Sequence, residues 1–151
     1  MHIFDPSNYP EESTRVFYID LDMIISGNLD DLVRMPVKRL ATLSTDEIFC
    51  ENVQGGYNSS IMIFDSKALV VIYNTLAAYY DHLLRYLMRF DHFLEMLVWD
   101  ASIIQKSLPG QVIDYMQTFV KEKQTSVPSD CRVIAFPRQP KPHEITDEWA
   151  S

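Results

Sequence analysis

Two aspartates carry the clearest chemical signal in the chain. Asp20 and Asp22 stand two residues apart inside Val16 to Leu32, VFYIDLDMIISGNLDDL. An apolar run (Val16, Phe17, Tyr18, Ile19) leads into them, and a second (Met23, Ile24, Ile25) carries on beyond them. Carboxylates at the end of a buried strand are costly to leave unpaired, because each must shed its hydration. A nearby cation offsets that cost. Hard divalent ions take oxygen ligands, and magnesium commonly uses one or two carboxylates together with the phosphates of a substrate. The same pair also reads as a strand end that caps the next turn, and Asp-x-Asp alone does not choose between the two.

The elements around the pair follow from periodicity and punctuation. A continuous Val/Ile/Phe/Tyr run predicts a strand over 15–19, covered on both faces as in α/β sheets. Residues 1–14, with Pro6 and Pro10, read as a turn-rich lead-in without an element of its own. Ser26-Gly27-Asn28 predicts a turn, with Asn28 capping a short helix through Val33 that Pro36 closes. A short strand is expected over 40–43, an irregular polar stretch over 46–54, and a strand over 61–64 after Gly55-Gly56. A long helix is expected from Asp65 or Ser66, since Leu69, Ile72, Leu76, Tyr79, Leu83, Leu87 and Phe90 recur three and four apart as a core stripe. Asp81 or Asp91 would divide it into separately capped helices. Helical spacing resumes over 92–108 until Pro109-Gly110. Residues 112–119 fit strand or helix, 125–130 a loop, 131–136 a last buried strand, and 137–142 a proline-rich loop barred from a sheet interior.

At 151 residues the chain suits one domain. A net charge of -8 argues against a nucleic-acid partner, which would need a basic face. Cys50 and Cys131 have no metal-like spacing and build no disulfide framework. No basic-then-apolar leader opens the chain, and its apolar stretches are broken short of a membrane span. The expectation is a cytoplasmic chain without a membrane span.

The frame around the aspartates resembles the DxD segment of family-eight-like nucleotide-sugar glycosyltransferases, the group that includes glycogenin and bacterial lipopolysaccharide sugar transferases. Asp20-Leu21-Asp22 with Gly27-Asn28-Leu29-Asp30-Asp31-Leu32 carries that likeness. Gly56-Tyr57-Asn58-Ser59-Ser60-Ile61-Met62 resembles the family's NSG/NSS strand, and Lys141-Pro142-His143-Glu144 resembles its C-terminal KP loop. All three stand in the family's order. The joint match is more specific than any one piece.

The resemblance implies a partial GT-A fold: a Rossmann-like α/β domain with a mixed sheet flanked by helices, spanning residues 15–145 between the lead-in and a tail over 146–151. It implies an enzyme moving a sugar from a nucleotide-sugar, with UDP-sugar as donor, to a carbohydrate, lipid-linked or protein acceptor. A manganese or magnesium ion would sit between the diphosphate and Asp20 and Asp22, acting as Lewis acid and template. Asn58, Ser59 and Ser60 would hydrogen-bond the donor sugar, or form an Asx-type turn that launches the strand. Lys141 would contact the diphosphate as a point charge held between Pro140 and Pro142. Asp100 matches the first residue of the family's Asp-Gln pair and would stabilise positive charge near the sugar; Ala101 stands where the Gln belongs. The family's metal-binding histidine before the Lys-Pro pair is missing, which leaves His143, after the lysine, or a water to complete the shell. His2, His82 and His92 read as surface or helix residues.

The likeness covers the second part of the family's domain, from the DxD strand onward. Three expectations follow. The chain alone lacks ordinary transferase activity, binds a metal-diphosphate without preferring uridine, and associates with itself through the edge of its first strand, whose Val16 to Ile19 run is apolar and without the charges or prolines that blunt an edge. A truncated or diverged paralogue, keeping the fold as a non-catalytic binding or structural module, is the alternative.

Overall fold

The computed structural model describes residues 2–10, 13–48, 55–147 and 149. Cys50 and the end of the expected 46–54 stretch lie outside the described residues. The elements are β1 (Arg15–Ile19), β2 (Met23–Ile25), α1 (Asp30–Arg34), β3 (Leu40–Ser44), β4 (Tyr57–Asp65), α2 (Val70–Tyr86), α3 (Phe90–Leu97), β5 (Ser102–Ile103), α4 (Ile104–Ser107), β6 (Val112–Asp114) and β7 (Val133–Ala135). They form an α/β arrangement with two mixed sheets. The larger runs β1-β4-β3-β5, antiparallel except for the parallel β3–β5 pair; the smaller runs β2-β7-β6, with β6 and β7 parallel.

Alternation along β4 explains the layering, because successive strand side chains point to opposite faces. Met62 and Phe64 join Leu40, Ile72, Phe93 and Leu94 in a cluster beneath α2 and α3. Ile61 and Ile63 turn the other way, to Ala41, Leu43, Val133 and Ala135, where the larger sheet meets the smaller. Both faces of β1 are used likewise: Val16 and Tyr18 pack on the first cluster, Phe17 and Ile19 on the second. All five of its residues remain only half-buried, since β1 is an edge strand.

Several expectations need correction. The lead-in has structure of its own: 3-10 turns at His2–Phe4 and Pro6–Asn8 bring Phe4 to 2% exposure, its ring stacked on Phe64 at 5.3 Å. It is tied down where Ser66 Oγ accepts from the Thr14 amide and the Ser66 amide donates to the Thr14 carbonyl. That clasp uses Ser66 as a strand-end staple, so α2 starts at Val70 instead of at residue 65 or 66. The helix α2 is two helical segments joined by a kink at Tyr79, two residues before Asp81. Asp91 does not cap α3. It lies in the first turn, with Arg89 at the cap position. The helical spacing over 92–108 hides α3, β5 and α4 in succession, because a short half-buried strand between short helices preserves three-and-four spacing by chance. The ambiguous 112–119 stretch contains both readings: β6, then a π-helix over Met116–Lys121. β4 begins at Tyr57, so Asn58, Ser59 and Ser60 belong to the strand itself.

Candidate functional site

The site is built on a fault in the larger sheet. β3 and β4 pair Thr42 with Met62, yet the next β3 residue, Leu43, pairs with Asn58, leaving residues 59–61 as a bulge on β4. Bulges re-aim side chains and are common beside active sites. The hydroxyl of Thr42, a fully buried residue, spans this one, 2.8 Å from the Asn58 carbonyl and 3.0 Å from the Ile61 carbonyl. Within the bulge Asn58 Oδ1 accepts from the Ser60 amide at 3.0 Å, an Asx turn. On the opposite side the Ser60 carbonyl accepts from the Asp20 amide at 2.8 Å, and the Ser59 amide donates to Asp91 Oδ1 at 2.8 Å. One bulge therefore positions the aspartate loop and α3 together.

Gly56 lets the chain enter β4 at this point. A Cβ there would stand 3.1 Å from Glu95 Oε1 and 3.2 Å from Thr45 Oγ1, two groups that hold the strand start by bonding the Tyr57 and Gly56 amides.

Asp20, Asp22, Asn58, Ser59 and Ser60 line a single cleft of about 190 Å³, with Met23, Ile48, Arg89, Asp91, Ala135, Phe136 and Pro137 completing its walls. Asp20 Oδ1 accepts from the Tyr18 hydroxyl, and this bond, with burial and the carboxylate's charge, pushes the Tyr18 phenol up to about 12. Asp22 is fixed by its carbonyl, which accepts from the Phe136 amide at 3.0 Å, while its half-exposed side chain reaches out. Lys141 Nζ donates to Asp22 Oδ2 at 2.5 Å and to the Phe136 carbonyl at 3.2 Å. The arrangement can hold a cation between oxygen donors, offer hydroxyls and amides to a polar ligand, and place one ammonium at the Asp22 end.

Two of the residues expected at the site are elsewhere. Asp100 lies in the turn before β5, paired with Arg39 at 3.8 Å, and does not line the cleft. His143 is exposed in the 3-10 turn Pro142–Glu144. Among the described residues no three His, Cys, Asp or Glu side chains cluster as a metal site, so the structure does not bring His143 to the aspartate pair. Conversely, Thr42, Arg89 and Asp91 belong to the site without having been expected there. An acid two residues from a basic one, Arg89-Phe90-Asp91, was the available signal, and the helix-cap reading absorbed it.

The fold has known counterparts. The glycosyltransferase GlyE of Streptococcus pneumoniae superposes with a TM-score of 0.64 at 18% identity, over 97% of this chain and 39% of GlyE. Its apo form gives 0.59 at 18% identity, over 97% and 38%. The chain shares its fold with part of GlyE. It spans about two-fifths of GlyE's length. No protein-family model and no curated protein matches it. No described helix is long and apolar enough to cross a membrane.

Proposed function

We propose that the chain is the metal- and donor-binding part of a glycosyltransferase that moves a sugar from a nucleotide-sugar, with a UDP-sugar as donor. The observation that carries this reading is the convergence of Asp20, Asp22 and the Asn58-Ser59-Ser60 bulge on one cleft, with Lys141 at the Asp22 end. The donor set suits a hard divalent ion, manganese or magnesium: both aspartates offer carboxylate oxygens, and Asp22 already holds a cation in Lys141. When bound, the ion supplies Lewis acidity to the departing diphosphate. Asp20 and Asp22 would hold it, while Lys141 places its ammonium on the diphosphate oxygens. Ser59 and Ser60 offer hydroxyls to the sugar; the Asn58 carbonyl oxygen already serves the bulge. The likeness to GlyE supports the fold on which this reading depends, and the GT-A assignment belongs to the same proposal.

The non-catalytic module is kept as a second reading because Asp100 is paired with Arg39 outside the cleft. Nucleotide-sugars screened for binding with and without manganese separate the two. Manganese-dependent binding of a UDP-sugar is the expected result for the metal- and donor-binding part of a transferase. Binding that ignores manganese favours the module, and the absence of any nucleotide-sugar binding contradicts the donor-binding reading.

A further inference from the structure

Asp91 is 8% exposed, yet it faces the cleft that holds Asp20 and Asp22. Its two oxygens have different partners: Oδ1 accepts from the Ser59 amide at 2.8 Å, and Oδ2 pairs with Arg89 Nη2 at 3.3 Å. A carboxylate offers about four lone-pair sites, so two such bonds leave it able to accept more. Hydrogen bonds order the cleft from Lys141 and Asp22, through Asp20 and Ser60, to Ser59, Asp91 and Arg89. Cations favour the diphosphate at the Lys141 end. An anion such as Asp91 repels it from the other, but accepts well from neutral hydroxyls.

We infer that Asp91 and Arg89 form the sugar-recognition subsite of the cleft, which takes a neutral hexose by its hydroxyl groups and disfavours a hexuronate. This rests on the nucleotide-sugar reading above. Asp91 accepts from ring hydroxyls, and the Arg89 guanidinium, 37% exposed at the rim, donates to a hydroxyl oxygen. With the ion on Asp20 and Asp22, the buried Asp91 carboxylate is the anion that makes a negatively charged sugar a poor occupant, because a like charge is repulsive at close range.

The test is calorimetric binding of UDP, UDP-glucose, UDP-galactose and UDP-glucuronate to the full chain in manganese. Wild type should bind at least one UDP-hexose more tightly than UDP, and UDP-glucuronate more weakly than UDP-glucose. Asp91→Asn keeps an oxygen for the Ser59 amide and removes the charge. It should cut the hexose advantage over UDP about tenfold, leave UDP within twofold, and narrow the glucuronate penalty. Arg89→Gln, at the rim, should lose the hexose advantage with UDP again unchanged. A wild-type preference for glucuronate overturns the inference. So does a fall in UDP and UDP-hexose affinity by the same factor in both variants, since Asp91 would then only hold the bulge. Failure of wild type to bind UDP at all overturns the nucleotide-sugar reading itself, and binding of UDP with no gain from any hexose overturns only the subsite.

Discussion

Asp22 Oδ2 holds the Lys141 ammonium at 2.5 Å, so a divalent ion that binds the aspartates competes with it. Lys141→Ala should therefore move two affinities in opposite directions. Manganese alone binds more tightly, because its competitor is gone. UDP binds manganese-loaded protein more weakly, by about 1.5 to 3 kcal/mol for a lost charge-assisted contact, and UDP-sugars weaken by the same factor. Titrations of each ligand with wild type and variant check both signs. Tyr18 provides a second handle on the same pair. Its bond to Asp20 raises the phenol to about 12 from 10.0, which means that folding favours the protonated form. The contribution is complete below the ordinary value and is lost as pH rises through about 12. Ultraviolet titration should show late-ionising phenols in wild type, Tyr18 together with Tyr9, Tyr57 and Tyr115, lose one of them in Tyr18→Phe, and shift one back toward the ordinary value in Asp20→Ala.

At the scale of elements, the bulge joining β1, β4 and α3 is the device that makes the cleft. Thr42→Val keeps shape but removes the hydroxyl that spans it, leaving buried carbonyls of Asn58 and Ile61 without that donor. A loss of about 1 to 3 kcal/mol is expected in chemical denaturation, accompanied by weaker UDP binding. Nothing in the local sequence announces this bulge. The runs at 15–19, 40–43 and 61–64 were legible as strands because each is a short, mostly apolar segment near turn residues. Asp20 and Asp22, with Asn58, Ser59 and Ser60, stood out because polar groups flank those runs, and they line one cleft. Thr42 and Asp91 were not, because their roles come from tertiary pairing: the first looks like any strand threonine, the second like any helix-start acid. Asp100 and His143 fall outside the cleft lining for a related reason. Motif order along the chain does not fix where a turn finally places a side chain.

At the scale of the whole molecule, the described chain is an α/β body whose lead-in is part of the core. Phe4 lies 5.7 Å from Phe90 as well as stacking on Phe64, so Phe4→Ala should cost about 3 to 5 kcal/mol. That is a large share of the stability of a domain this size, and a thermal melt will show it. The outer edge of β1 presents backbone donors and acceptors beside a strand without proline, a template for pairing with another copy. Sedimentation velocity over a concentration series should show reversible association. The cleft itself is the point on which the account stands. The most direct measurement is calorimetric titration of UDP into wild type and Asp22→Ala, with and without manganese. The account predicts manganese-dependent binding to wild type that largely vanishes in Asp22→Ala while the variant's circular dichroism stays unchanged. Binding that ignores manganese, or that survives Asp22→Ala intact, would contradict it.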